Sequence, residues 1–453
     1  MKKIFKVIAS LILVLLVIAA IPALIPDEEY SLGAKQWLDE ANIMVEIPVA
    51  QNSFNALVGF SLGKDKDMVT EGAAMVAEFN KRLRQYRADG KAKPELDPRW
   101  LQEELKVSKK WSAQVDNVFE DNPIEWLAKN SDSYEKHLTD NRVLLSRYKE
   151  ITTMKQFSDY LIPDMNAPFA PLSGLLTINK LNNLSIIHEY THNRQENAIN
   201  RLRESIHFSK LMMKGSRQLI YKMIAVALLQ ANLNTYSILQ DSASYNAKQS
   251  LHIQNLNKKE RSMRRVFQGE FALMSTSFYS LDKEHLGGDP SATFLEGVDT
   301  KLYFKHRKLE NMAYKKVWMP LLSQEKMTLA ERRDHNEKIG NGDATWWDYY
   351  LDHVGNVLLN ILLSIVTPAY YGYIDRVDHI DAYISLLNIK DEILSKKLQA
   401  NKNEIEKFIS SFNAGDNPGY SGARFSLVNN GSELTYVIPG YSDENIPSVK
   451  LIK

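Results

Sequence analysis

The chain of 453 residues is 44% hydrophobic and 25% charged, the composition of a folded protein, and is long enough for two domains or one extended helical body. Its 56 Lys and Arg against 55 Asp and Glu leave a net charge of +1. That balance lacks the basic excess of a duplex-binding surface, so no nucleic-acid partner is expected. The absence of cysteine excludes disulfide frameworks, thiolate zinc sites, cysteine nucleophiles and a lipidated N-terminal cysteine.

Lys2, Lys3 and Lys6 precede a stretch from Val7 to Ile25 with no charged residue, and Asp27, Glu28 and Glu29 come directly after it. At 1.5 Å rise per residue the stretch spans roughly 28 Å, close to a bilayer core. Basic residues before the span and acidic ones after it place the N-terminus in the cytoplasm and the body in the periplasm, as a single-pass inner-membrane protein. A signal peptide cut near Ala19 or Ala20 would export the same body. The apolar run exceeds the usual h-region of roughly 7–15 residues, which favours an uncleaved signal-anchor. The expected organisation is a cytoplasmic stub and transmembrane anchor over 1–30, an exported helical body over 31–412 and a β-hairpin tail over 413–453.

Beyond a loop through Pro48, the apolar stripe Val69, Ala73, Val76, Phe79, Leu83 and Tyr86 predicts a helix from Met68 to Arg87, ended by Gly90. Pro94 and Pro98 punctuate the next stretch, and helical patterns run through Trp111–Phe119 and Tyr134–Tyr148. Pro163, Pro168 and Pro171 mark a break near 160–172 where the body could subdivide. The longest helical pattern comes next, Leu175 to Lys214. Gly215 stops it, and a second helix, Gln218 to Gln240, is predicted to return against it as an antiparallel αα-hairpin. Helix is also expected over Lys258–Tyr279 and Leu302–Trp318. The apolar segment Val354–Val366 is short for a span and carries Asn356, Asn360 and Ser364 as a polar stripe, which reads as a core helix ended by Pro368. A further helix covers Arg376–Phe412. Phe425–Val428 and Leu434–Ile438 read as a β-hairpin, with Asn429-Asn430-Gly431-Ser432 supplying turn residues that tolerate positive φ. The fold class expected is mainly α: packed αα-hairpins with a small C-terminal β-hairpin.

One motif suggests chemistry. His188-Glu189-Tyr190-Thr191-His192 places two imidazoles four residues apart on one helix face, a spacing that lets both bind one Zn²⁺ while Glu189 acts as general base. The five positions resemble the zincin-type metallopeptidase pattern, which implies a third ligand on a later helix. Glu270 is the best-placed candidate. Glu196 lies two turns from His188 on the same helix, about 12 Å along its axis, too far to close a tetrahedral site. The local context argues against catalysis. The motif continues as Asn193-Arg194-Gln195-Glu196-Asn197, a solvated run, where a zincin helix stays apolar. The stripe Leu181, Leu184, His188, Thr191, Gln195, Ala198, Leu202 gives His188 an ordinary inward position. The expectation is that His188 sits against neighbouring helices with a neutral hydrogen-bond partner and that His192 lies toward solvent. Two other features read as structural: Trp346-Trp347-Asp348-Tyr349-Tyr350 as packing, and the basic cluster Lys258, Lys259, Arg261, Arg264 and Arg265 as a solvated helix face.

The exported region also resembles a set of uncharacterised, membrane-anchored helical envelope proteins of proteobacteria. The resemblance is carried by Pro48-Val-Ala-Gln-Asn52 with Gly59 and Gly72, by Gly215 through Ala225, by His353-Val-Gly-Asn-Val-Leu358, and by the pair Tyr373 and Arg376. It implies a single anchor, a helical body and a C-terminal β element, with no known activity. The expected function is a non-catalytic binding role toward an envelope protein or component, for which the sequence assigns no cofactor, zinc being the one it leaves open. The alternative is a membrane-anchored zinc metallopeptidase using His188, His192 and Glu270 as ligands and Glu189 as base.

Overall fold

The computed structural model describes residues 27–451 apart from 44, 46, 90–95, 102, 121, 165, 248–249, 285–305, 341–356, 413–416, 440 and 442–445. The apolar run Val7–Ile25 and the aromatic stretch 346–350 lie outside the described residues. Among the described residues no helix is long and apolar enough to cross a membrane.

The chain enters as α1 (Leu32–Asn42), where the Ser31 hydroxyl accepts the Ala34 N–H at 3.3 Å and the buried face is Ala34, Trp37 and Ala41. Next come α2 (Ser53–Val58) and α3 (Met68–Asp89). These two cross so closely that a Cβ at Gly72 would overlap the Asn55 carbonyl, and one at Gly59 the Met68 carbonyl. Glycine is required at both positions because only a bare backbone permits that approach. Asn52 caps α2 through its contact with the Phe54 N–H at 3.2 Å, and its amide also exchanges two 2.9 Å hydrogen bonds with the Ser158 backbone. The motif Pro48–Asn52 with Gly59 and Gly72 therefore has a packing role.

Then come α4 (Lys109–Glu120), α5 (Pro123–Lys129), α6 (Ser131–Asp140) and α7 (Arg142–Thr153). The single helix expected over Tyr134–Tyr148 is two. Asn141 breaks it by accepting the Ser108 N–H at 3.0 Å and donating to the His137 carbonyl at 2.8 Å.

The centre of the molecule is α8 (Leu172–Thr191), α9 (Gln195–Gly215) and α10 (Leu219–Asp241), which pack on one another. The expected hairpin is present between α9 and α10, with Gly215 at its turn. A Cβ there would overlap the Phe157 carbonyl. The helix expected to run unbroken from Leu175 to Lys214 is instead two helices that double back at residues 192–194, so the hairpin becomes a three-helix unit. α10 starts on the Arg217 and Gln218 N–H groups bound to the Asp159 carboxylate, and α8 packs its buried Leu175, Ile178, Leu181 and Leu184 inside.

Beyond these lie α11 (Lys258–Arg261), α12 (Arg264–Glu284) and α13 (His306–Ala313), then one π-helical turn (Tyr314–Trp318) leading into α14 (Met319–Ser323). The Lys258–Tyr279 pattern is thus interrupted at Ser262. After α15 (Leu329–Gly340), α16 (Val357–Ser395) runs for 39 residues through Pro368, where the sequence predicted a stop. A proline inside a helix removes one donor and crowds one turn, a local penalty that a helix of this length can absorb. α16 ends short of the expected Phe412, and α17 (Lys402–Ile409) is a separate helix.

The C-terminal element has three antiparallel strands rather than two: β1 (Arg424–Val428), β2 (Glu433–Val437) and β3 (Ser448–Lys450), in that order. The register places Phe425 opposite Tyr436 and Leu434 opposite Val449. Asn429, Asn430 and Gly431 all have positive φ, as the turn residues require. β3 is only three residues long and carries no pattern of its own. The sheet lies on α16, where Tyr420 meets His379 Nδ1 at 2.6 Å and Asn417 donates to the Asp378 carbonyl at 2.9 Å.

Candidate functional site

The pentad occupies the last turn of α8. His192 is the C-terminal cap residue, and Asn193 adopts φ 62°, the left-handed conformation that asparagine tolerates best after glycine. The Arg194 N–H then closes on the Glu189 carbonyl at 3.0 Å, and α9 leaves in the reverse direction. The motif therefore ends a helix instead of crossing a core. Asn193 was the signal for this in the sequence, an asparagine just after the last periodic residue.

The two imidazoles do meet, with ring centroids 4.1 Å apart. His188 is half-buried and lies against Tyr134 at 4.7 Å between centroids. Burial, and then the neighbouring His192, holds its pKa below the ordinary histidine value. Its contacts are rings, and the neutral hydrogen-bond partner expected for it is not present among the described residues. His192 is exposed, with Nδ1 directed at the His188 carbonyl 2.8 Å away.

Glu189 lies at the edge of a cleft with both carboxylate oxygens engaged. One carboxylate oxygen lies 2.6 Å from Arg201 Nη1 and the other 3.0 Å from Asn197 Nδ2, both on α9. Arg201 also donates to Ser185 Oγ at 3.0 Å and Asn182 Oδ1 at 2.6 Å. One guanidinium thus holds three acceptors on three successive turns of α8, the planar fork geometry that arginine provides and lysine does not.

A cleft of about 360 Å³ opens beside this clamp, lined among others by Tyr134, Arg142, Lys149, His188, Glu189 and Arg201. Burial lowers the Lys149 ammonium, helped by Arg201, and raises the Tyr134 hydroxyl to about 12.

Glu270 is elsewhere. It is half-buried, accepts the Leu219 N–H at 2.8 Å and the Tyr370 hydroxyl at 3.3 Å, and desolvation raises its carboxyl. It caps the start of α10, whereas the pentad lies by the far end, where Gln195 donates to the Ser244 carbonyl at 2.8 Å. The 23 residues of α10 separate them by roughly 33 Å. Glu196 is exposed on the first turn of α9. Among the described residues no group of three His, Asp or Glu side chains is placed to hold a metal ion. His188, His192 and Glu270 do not converge as a catalytic zinc centre requires, with three ligands and an open fourth position.

No family model, curated protein or solved structure matches the chain. Its own residues therefore carry the functional reading.

Sequence reasoning treated the basic cluster after Asn257 as a solvated face, and the structure divides it. Arg261 pairs with the buried Asp381 at 3.1 Å, while Lys259, Arg264 and Arg265 line a second and larger groove of about 760 Å³. Lys155 and Lys214 join them from elements far away in the chain, a convergence with no local sequence signal.

Proposed function

We propose that this chain is an inner-membrane-anchored envelope protein whose exported helical body works by binding a protein or envelope component, not by catalysis. The observation that carries the non-catalytic reading is the engagement of both Glu189 oxygens by Arg201 and Asn197. Each oxygen keeps a further lone pair, but the two contacts fix the carboxylate between α8 and α9, and no third ligand among the described residues brings a metal-bound water to it. The anchor is supported by the charge asymmetry around Val7–Ile25 and by the resemblance to anchored envelope proteins. Directly after that run, Asp27 accepts the Arg307 N–H at 3.1 Å and the Lys308 N–H at 3.2 Å. The emerging chain is thereby fastened to the start of α13, so the body would stand close to the bilayer rather than on a long leash.

Three measurements test this. Purified full chain is expected to carry far less than one equivalent of zinc, and a Glu189→Gln allele, whose amide oxygen can still accept from Arg201, to complement a deletion strain as the wild type does once its melting temperature shows that it folds. Stoichiometric zinc lost on replacing His188 or His192, with loss of complementation by Glu189→Gln, would establish the metallopeptidase instead. A periplasm-dependent reporter fused after Lys453 is expected to be active in the membrane fraction. Activity from a cytoplasmic reporter only would reverse the orientation, and soluble periplasmic product would indicate a cleaved signal.

A further inference from the structure

The 760 Å³ groove runs between the exit of α1, the loop at 155–158, the end of α9 and the start of α12. Among the described residues its lining carries five cationic side chains, Lys155, Lys214, Lys259, Arg264 and Arg265, against one carboxylate, Glu40. Glu40 is taken by Arg264 at 3.1 Å, and the four remaining cations have no described carboxylate within salt-bridge distance. In a chain whose overall charge is +1, gathering like charges in one concavity raises its potential and concentrates anions there.

Two further features accompany the charge. Ser158 also lines the groove; it is 2% exposed, and its hydroxyl is buried with no hydrogen-bond partner among the described residues. An unmatched buried hydroxyl is costly, and a ligand acceptor that reached it from the groove would relieve that cost. Of the chain leaving α1, the described residues that line the groove are apolar: Ile43 is 61% and Val45 49% exposed, with Ile47 beside them. A small free anion would satisfy the cations and leave those side chains wetted.

We propose that this groove binds an anionic glycerophospholipid, with the phosphodiester among Lys155, Lys214, Lys259 and Arg265 and the first acyl carbons along Ile43, Val45 and Ile47. An amphiphile with an anionic head uses both surfaces at once. The proposal names the ligand of the binding role given above and rests on that reading. The zinc and Glu189→Gln measurements judge that role separately, so a failed lipid titration alone would sink only the ligand.

The test titrates full chain in a neutral maltoside with short-chain phosphatidylglycerol, matched phosphatidylcholine and glycerol 1-phosphate, read by thermophoresis. Phosphatidylglycerol should saturate one site and bind at least tenfold tighter than either comparison ligand. The double variant Lys155→Glu/Lys214→Glu, both at exposed positions, should weaken it by roughly tenfold or more while leaving the circular dichroism spectrum unchanged. Ile43→Ser should weaken the lipid and leave glycerol 1-phosphate unaffected. Equal binding of the two lipids, glycerol 1-phosphate binding as tightly as the lipid, or lipid binding that ignores the double charge reversal would each overturn the proposal.

Discussion

Glu189 and Arg201 face each other at 2.6 Å across the α8–α9 turn, with side chains only 14% and 12% exposed. Little water reaches the pair, so removing one partner strands the other. Arg201→Ala should cost about 2–4 kcal/mol by urea unfolding, from the lost pair and the acceptors left at Ser185 and Asn182. A double-mutant cycle with Glu189→Ala should show a coupling above roughly 1 kcal/mol. Additive effects would mean that the pair is not what joins the helices.

The reversal after the pentad depends on Asn193 at φ 62°. Asn193→Gly should be neutral or slightly stabilising, and Asn193→Ala should cost about 1 kcal/mol because a Cβ is unfavourable in that region. If the helix ran on through this position, alanine would stabilise and glycine destabilise. The order of the two melting temperatures separates the geometries.

In the α9–α10 seam, Leu202 is fully buried and Met223 only partly so. Leu202→Ala should cost about 2–5 kcal/mol, and Met223→Ala clearly less. Gly215→Ala should cost about 1–3 kcal/mol or more, since its Cβ would meet a backbone carbonyl that cannot rotate aside. Losses below half a kcal/mol at both Leu202 and Gly215 would place the seam elsewhere.

Asp159 is buried and accepts the backbone N–H groups of Arg217 at 2.8 Å and Gln218 at 3.1 Å. Burial pushes its carboxyl up to about 7 against the opposing pull of Arg217. A carboxyl raised above its unfolded value binds protons preferentially in the native state. Its contribution is complete below about pH 4 and lost as pH rises through about 7. The stability difference between wild type and Asp159→Asn should therefore shift against the wild type from about pH 4 to 7. A difference that is flat, or that moves in favour of the wild type, would show that the carboxylate stays ionised throughout.

Much of the fold was legible because local rules act at short range. Apolar stripes at helical spacing marked α3, α4 and α10, Gly215 marked a real turn, and Asn429 through Gly431 marked a hairpin whose positive φ values few other residues accept. The sequence by itself also determined the charge asymmetry around Val7–Ile25 and the absence of any thiol chemistry. Several misreadings arose because periodicity alone does not say where a helix stops. Asn141 breaks a pattern by bonding Ser108, and Pro368 fails to break one. Only tertiary structure decided the candidate sites. Whether His188, Glu189 and His192 could meet a third ligand depended on which end of α10 held Glu270. The groove's cations come from three separated parts of the chain, 155, 214 and 259–265. Long-range convergence is set by how helices cross, and helix crossing is a property of packed surfaces that no local window of sequence contains.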